Sequence, residues 1–252
     1  MSRPSIERRD FLKLGALATG ATLLPRTTRA EQAAPPTPTP APVKTPRFPS
    51  KDPKWQRTWD AAIAALAGNI RTLPHYSQPV PIEGAVYPGI WQECGPHEGL
   101  VYGTLTPYLP QQTGQPTPLQ IARNNHMAFF ALQRPEGADS AGQIPDAIKM
   151  SSIGFSQLQM VVPIAATAWE LSQLTGDDEL LVTAYHGCSR WDAWLRQYRN
   201  TRKTGLVEGF CVYDTGHDNS PRWKGIPKAC PDGDARKCPD IPSLPRLCPD
   251  LS

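Results

Sequence analysis

Two apolar patterns joined by a short turn constrain the fold of this chain most. Over 156–174, and again over 177–199, apolar side chains recur every three to four residues, as on the buried face of a helix. Between the two patterns, Gly176 is suited to end the first helix and Asp177 to cap the second. The sequence therefore predicts a helical hairpin with a tight link.

Two features add detail to this hairpin. Pro163 lies inside the first predicted helix, where a proline removes a backbone hydrogen bond, so we expect a kink there. The second helix carries an aromatic stripe that includes Trp191, Trp194 and Tyr198. We interpret this stripe as core packing rather than as a platform for sugars.

Two more helices are predicted upstream. One runs from Pro53 to Ile70 with Asp52 as its N-cap, and the other covers 117–133 with Thr117 as its cap and Pro118 in the first turn. The segments 72–116, 134–153 and 200–252 are rich in Gly and Pro and show no strong strand pattern. We expect an all-α fold whose long loops build a site at one end.

Residues 1–30 have the layout of a secretory signal. Arg8 and Arg9 precede a mildly apolar run from Leu12 to Leu24, and small residues lead to a candidate cleavage site after Ala30. The paired arginines indicate the twin-arginine pathway. A membrane anchor is the alternative, but the run is shorter than the roughly 20 apolar residues that span a bilayer. We expect a periplasmic or extracellular protein that meets the twin-arginine translocase during export and has no stable membrane span.

Removing the predicted signal changes the charge of the chain. Residues 1–30 hold six of the 26 basic and two of the 23 acidic side chains, so the remainder has 20 basic and 21 acidic ones, a net charge of −1. This balance gives no electrostatic reason to expect a nucleic-acid partner. Residues 31–52, rich in Pro, Ala and Thr, predict an extended linker, which leaves 53–252 for one domain.

The segment 205–223 concentrates groups that suit a sugar site. Glu208, Asp214 and Asp218 lie within eleven residues, beside Tyr213 and Trp223. Polar side chains bind sugar hydroxyls, and aromatic rings pack on the apolar face of a sugar. Composition alone, however, favours a solvated surface loop with an ordinary Asp–Arg pair.

The sequence YDTGHDNSPRW at 213–223 resembles the signature loop shared by mannosylglycerate hydrolases, processing α-glucosidase I and trehalases. The resemblance extends over 85–223 and is strongest from 154 onward. It implies an (α/α)6 barrel of twelve helices, of which this sequence predicts four or five. We therefore expect a partial (α/α)6 toroid of the six-hairpin glycosidase type, with 53–252 as its N-terminal portion.

The resemblance also implies site residues in the loop. Asp218 matches the general acid, which protonates the departing glycosidic oxygen. Asp214 matches the acid four positions earlier, which holds sugar hydroxyls or Arg222. Arg222 matches the arginine that closes the motif.

Two upstream segments resemble the same superfamily. Trp91 and Glu93 match its Trp-x-Asp segment, which contacts the sugar in the −1 subsite, with Glu93 in place of the usual Asp. Gln143 lies in a Gly-x-Ile-Pro stretch and is expected to face the site. The predicted substrate-binding set is Trp91, Glu93, Gln143, Asp214, Arg222 and Trp223.

Six cysteines allow disulfides in an oxidising compartment. The tail 224–252 predicts an active-site flap or a truncated end, and Cys230–Cys238 is a candidate disulfide that would staple it. Zinc is the alternative there, although the spacings lack the usual knuckle form. His97 and His217 show no metal-binding spacing, so we expect neither a metal nor a cofactor.

The resemblance implies an exported inverting glycoside hydrolase that acts on α-linked glucosyl or mannosyl groups of an oligosaccharide or small glycoside. The catalytic base of that superfamily is a glutamate far downstream, so we expect the base beyond Ser252 and interpret the chain as a fragment. A non-catalytic carbohydrate-binding protein is one alternative. A polysaccharide lyase on a helical toroid is another, disfavoured by the net charge of −1 and the carboxylate-rich loop.

Overall fold

The computed structural model describes residues 51–84, 86–109, 113–158 and 164–240. These residues all lie in the unit 42–252. The predicted signal peptide, nearly all of the predicted linker, Pro163 with its predicted kink, and Cys248 lie outside the described residues.

Five α-helices occur within these ranges: α1 Pro53–Gly68, α2 Gly95–Thr104, α3 Pro118–Ala131, α4 Ile164–Thr175 and α5 Asp178–Tyr198. The predicted cap of α1 is confirmed, since Asp52 Oδ1 accepts a hydrogen bond from the Lys54 backbone N–H at 2.8 Å. Helix α3 begins with a capping box, in which the side chains of Thr117 and Gln120 each accept from the other's backbone N–H. Local side-chain chemistry therefore sets where both helices begin.

The predicted hairpin of α4 and α5 is confirmed. Gly176 has a φ of +68°, the left-handed conformation that ends many helices. Asp177 Oδ1 then accepts from the Leu180 backbone N–H at 2.9 Å and caps α5. The predicted helical start at Ser156 is wrong, because residues 155–158 are not helical and the backbone N–H of Ser156 is bound by a carboxylate oxygen of Asp146 at 2.8 Å.

The aromatic stripe of α5 packs into the core, as predicted. Trp194 is 1% exposed, and its ring stacks on Trp191 with centroids 4.9 Å apart. Its indole Nε1 donates to Ser140 Oγ at 2.7 Å, so the polar edge of the ring is satisfied as well as its apolar body. Leu158 and Ala235 complete the buried cluster around Trp194.

The expectation of an all-α fold is wrong in one respect, since two small antiparallel sheets lie among the helices. In one sheet β1 (Ile70–Leu73) pairs with β2 (Tyr76–Pro81). In the other, β4 (Ala147–Lys149) lies between β3 (Gly89–Trp91) and β5 (Ile153–Gly154). Strands this short carry no alternating apolar run, which is why the sequence pattern did not predict them.

Helix α2 also lies in a segment predicted to be irregular. Three glycines and a proline fall within its ten residues, and these are poor helix formers. These glycines allow α2 to pack closely against α3. A Cβ on Gly103 would approach Ala122 Cβ to 2.9 Å, so glycine is needed where the two helices touch. Tertiary contact therefore overrides local propensity here.

The largest buried cluster joins the second sheet to the helices. Ile90 of β3 and Ile148 of β4 pack with Phe129 of α3 and with Ile164 and Ala168 of α4, all of them buried. This packing fixes the end of β3, from which the chain continues through Trp91 and Glu93 into α2. Within the residues described, no helix is long and apolar enough to cross a membrane.

Candidate active site

The turn between β3 and α2 carries Glu93, which is half-buried. Burial raises the pKa of Glu93, the negative charge of Asp218 raises it further, and His217 lowers it. Glu93 and Asp218 are 125 positions apart in the sequence, yet their charges act on each other in the fold. The structure thus brings the predicted acid close to one predicted sugar-binding carboxylate.

Trp91, the last residue of β3, is half-buried and held from two sides. Its ring meets the ring of Tyr87 edge to face with centroids 5.7 Å apart. The ammonium of Lys149, at the end of β4, lies 5.5 Å from the centroid of the Trp91 ring. The ring is therefore oriented by neighbours and keeps some exposed surface, which a sugar-stacking ring requires.

A carboxyl group that the sequence reading missed lies next to this turn. Cys94 Sγ donates a hydrogen bond to Glu83 Oε1 at 2.6 Å. Burial raises the pKa of Glu83 to about 7, and the charges of Glu98 and Glu93 add to the rise, although the hydrogen bond from Cys94 opposes it. Glu83 therefore retains a proton at a pH where ordinary glutamates have lost theirs. The sequence signal that points to it is the presence of three glutamates within 16 residues around Trp91.

The predicted acid loop begins with a 3-10 turn at Val212–Thr215. The turn ends at Gly216, whose φ of +67° is the left-handed conformation that glycine adopts at little cost. The next three residues, His217, Asp218 and Asn219, are exposed. The loop therefore presents Asp218 to solvent, where a substrate can reach it.

Asp214 lies on the inner side of the same loop and is fully buried. One carboxylate oxygen pairs with Nη1 of Arg199 at 2.6 Å and accepts from the Phe210 backbone N–H at 2.7 Å. The other oxygen accepts from the Leu158 backbone N–H at 2.5 Å. Contrary to the expectation that it binds sugar hydroxyls or Arg222, Asp214 has no accessible oxygen, and its place in the fold is structural.

Gln143 is buried as well and does not face an open site, contrary to expectation. Its Oε1 accepts from Ser140 Oγ at 2.8 Å, and its Nε2 donates to the Phe155 carbonyl at 2.8 Å. These bonds tie the loop after α3 to the segment that precedes α4. Both polar ends of Gln143 are therefore engaged within the protein.

Arg222 and Trp223 lie at the far end of the loop, in a 3-10 turn at Pro221–Trp223. Arg222 is exposed, and its guanidinium carbon lies 5.8 Å from the centroid of the Trp223 ring. The indole Nε1 of Trp223 is buried and makes no hydrogen bond to the residues described. Neither observation tests contact with a sugar, so the place of Arg222 and Trp223 in the binding set stays a prediction.

One group of possible metal ligands occurs in the described part of the chain. Cys211, Asp214 and Cys230 are buried, and their ligand atoms lie within 4.8 Å of one another. The Nη2 atom of Arg199 is 3.6 Å from Cys230 Sγ, and this fixed positive charge opposes a cation at the same place. His97 and His217 belong to no such group within the described ranges.

Comparison with known proteins shows a similarity to one glycoside hydrolase family. Residues 120–239 match the model of the mannosylglycerate hydrolase MGH1-like glycoside hydrolase domain. The match supports a glycoside hydrolase domain. No curated protein matches the chain.

Among solved structures, the crystal structure of an uncharacterized conserved protein from Thermus thermophilus is similar to this chain, with 20% sequence identity and a TM-score of 0.44. The alignment covers 66% of this chain and 40% of that chain. The chain thus spans less than half the length of that structure.

The glycoside hydrolase domain match includes the α4–α5 hairpin and the whole acid loop. Asp218, Arg222 and Trp223 therefore lie inside the matched range. Trp91 and Glu93 precede it, and their link to the site is the effect of the charge of Asp218 on the pKa of Glu93.

Proposed function

We propose that this glycoside hydrolase domain belongs to an exported, inverting exo-acting glycosidase for α-linked glucosyl or mannosyl substrates, with Asp218 as its general acid. The electrostatic interaction between Glu93 and Asp218 carries the proposal, because it joins the two segments that resemble glycosidase sugar-binding and acid motifs. The family match over 120–239 supports the hydrolase class.

In the proposed reaction Asp218 donates a proton to the glycosidic oxygen as its bond to the anomeric carbon breaks. Trp91 packs on the apolar face of the sugar, while Glu93 and Arg222 bind its hydroxyls. A second carboxylate activates water on the opposite face of the ring, about 6.5–9.5 Å from the first, which leaves room for that water. We propose that this base is a glutamate, as the resemblance to inverting glycosidases implies.

We also propose that residues 1–30 direct export through the twin-arginine translocase and that 31–52 form a tether to the domain. The paired residues Arg8 and Arg9 ahead of an apolar run support this assignment. Replacement of both arginines by lysine should retain the protein in the cytoplasm, as measured by fractionation of cells that express it. Export of this variant at the normal level would contradict the twin-arginine route.

The enzymatic proposal is tested with protein produced from the complete gene. Release of glucose or mannose from α-glucosides, α-mannosides and mannosylglycerate is measured, and the anomer formed first is read by proton NMR. Inversion predicts a β-anomer as the first product. Asp218→Asn should lower kcat by roughly 100-fold or more, since a general acid contributes that much, while Glu136→Gln, a change on an exposed loop, should leave kcat unaltered.

Other results would favour other functions. Oligosaccharide binding in calorimetry without any release of sugar would favour a non-catalytic binding protein. Products that absorb in the ultraviolet because they contain an unsaturated sugar would indicate a lyase. Full activity in the Asp218→Asn variant would remove this residue from the acid role.

A further inference from the structure

The acid loop, 213–223, lies between two cysteines whose sulfurs are close together. The Sγ atoms of Cys211 and Cys230 are 3.7 Å apart, and both residues are 3% exposed. Phe210 and Tyr213 pack against them, so the pair lies in a small apolar cluster at the base of the loop.

Backbone hydrogen bonds join the segment at the start of the acid loop to the segment that follows it. The N–H of Val212 donates to the carbonyl of Pro227 at 2.9 Å, and the N–H of Tyr213 donates to the carbonyl of Lys228 at 3.0 Å. The cysteines are therefore adjacent because the backbone segments that carry them are hydrogen-bonded to each other, whichever rotamers their side chains adopt.

We propose that Cys211 and Cys230 form a disulfide that closes the loop carrying Asp218. A sulfur–sulfur bond is about 2.05 Å long, so the two atoms need to approach each other by roughly 1.7 Å. The proposal concerns the covalent structure of the loop, and it holds whether or not Asp218 acts on a glycoside.

The oxidation balances when a low-molecular-weight disulfide such as oxidised glutathione accepts the electrons. The two thiols lose two protons and two electrons, the Sγ–Sγ bond forms, and oxidised glutathione is reduced to two glutathione thiols. The hydrogen bond with Cys211 and the positive charge of Arg199 lower the pKa of Cys230. The same hydrogen bond raises the pKa of Cys211, and burial and the charge of Asp214 add to the rise.

This pairing replaces the Cys230–Cys238 disulfide expected from the sequence. Cys238 is exposed, whereas the sulfur close to Cys230 belongs to Cys211. A zinc ion held by Cys211, Cys230 and Asp214 is the competing arrangement. It is disfavoured because the carboxylate of Asp214 is already engaged by Arg199, whose charge also faces Cys230.

Peptide mapping tests the disulfide directly. Protein refolded with reduced and oxidised glutathione is alkylated, digested with trypsin without reduction, and analysed by mass spectrometry. Trypsin cleaves after Lys203, Arg222, Lys228, Arg236, Lys237 and Arg246, so three cysteines fall on separate peptides. Cys211 lies in 204–222, Cys230 in 229–236 and Cys238 in 238–246. We expect the first two peptides to be joined. Alkylated Cys211 and Cys230, a link between 229–236 and 238–246, or one zinc ion per folded chain would overturn the proposal.

Stability gives a second readout that a cavity or packing effect would not reproduce. Cys211→Ser, Cys230→Ser and the double variant should each melt roughly 5–10 °C below the oxidised protein, by the chain-entropy model for a loop of about 20 residues. A reducing phosphine should lower the Tm of the wild-type protein by the same amount and leave the Tm of the variants unchanged.

Cys188→Ser, which alters a cysteine on α5, serves as the control and should keep the response to the phosphine. Losses in Tm that add up in the double variant, or no response of the wild-type Tm to reduction, would contradict the disulfide. If the variants fail to fold, peptide mapping of the wild-type protein still tests the disulfide.

Discussion

Arg199 and Asp214 form an ion pair in which both side chains are completely buried, with Nη1 of the arginine 2.6 Å from a carboxylate oxygen. Arg199 follows the last residue of α5 and also donates to the Ala235 carbonyl at 2.6 Å. Asp214 lies in the first turn of the acid loop and binds the backbone of Leu158. The pair therefore connects the end of the helical hairpin, the acid loop and part of the predicted flap.

Loss of this pair should strongly destabilise the fold. Arg199→Met leaves the carboxylate of Asp214 buried without its partner, and removing one member of a buried pair costs about 3–5 kcal/mol. Urea denaturation followed by circular dichroism measures the change. Arg196→Met is the matched control, because Arg196 belongs to the same helix but pairs with Asp192 at an exposed site. Similar losses in the two variants would show that the buried pair has no special role.

Gly187 of α5 lies directly against the ring of Phe130 of α3. A Cβ there would overlap the ring of Phe130, starting with its Cδ1 atom, so Gly187→Ala forces the helix or the ring to move. The free energy of unfolding should fall by about 1–3 kcal/mol. Gly68→Ala, in the last turn of α1 where the added methyl meets no atom within 4 Å, should not destabilise. Equal stability of the two variants would show that α5 shifts at no cost.

Acidification should weaken the fold through His126. This residue is completely buried, with its ring nitrogens bound to the Ala122 carbonyl and Thr167 Oγ1, and burial lowers its pKa to about 4. The unfolded chain takes up a proton near the ordinary pKa of about 6.5, so between these values the unfolded state binds more protons and stability falls as pH falls. The full loss is on the order of 3 kcal/mol. Denaturation curves from pH 7 to 4 for wild type and His126→Gln check this, and a variant that keeps the wild-type slope would contradict it.

Glu83 should contribute a pH dependence of the opposite sign. Its pKa is raised to about 7 in the folded protein, so between pH 4.5 and 7 the folded state holds a proton that the unfolded chain has released. The stability of wild type relative to Glu83→Gln should therefore fall as pH rises through this window. Cys94→Ala removes a hydrogen bond that lowers the pKa of Glu83, so it should move the window to higher pH. Carbon-13 NMR titration of the carboxyl groups measures the pKa of Glu83 in the wild type and in Cys94→Ala. A midpoint near that of an ordinary glutamate would contradict the prediction.

The features of the fold that were predictable from sequence depend on local chemistry. The caps at Asp52, Thr117 and Asp177 and the left-handed Gly176 act over two or three residues, so a sequence window contains all the information they need. The sheets and α2 were missed because their formation depends on distant partners. The pairing of Ile90 with Ile148 joins residues 58 positions apart, and the contact that explains Gly103 comes from α3.

The site was predictable only in part for a related reason. In the sequence, Asp214 and Asp218 are two acids of one motif that were both expected at the site, and only the fold shows that Asp214 is buried and Asp218 exposed. Gln143 was expected to face a substrate, but its amide is engaged within the protein. The proton held by Glu83 depends on burial together with the charges of Glu93 and Glu98, which a pattern of residue types does not record.

The anchoring of Asp214 has a consequence for how this loop can vary between related proteins. Because the buried pair with Arg199 fixes the base of the loop, the exposed residues after Gly216 make little contribution to folding. Substitutions among them can accumulate without loss of the native structure, while the base of the loop tolerates almost none. Under the proposed function, substitutions at the exposed Arg222 can therefore change substrate preference without changing the stability of the domain.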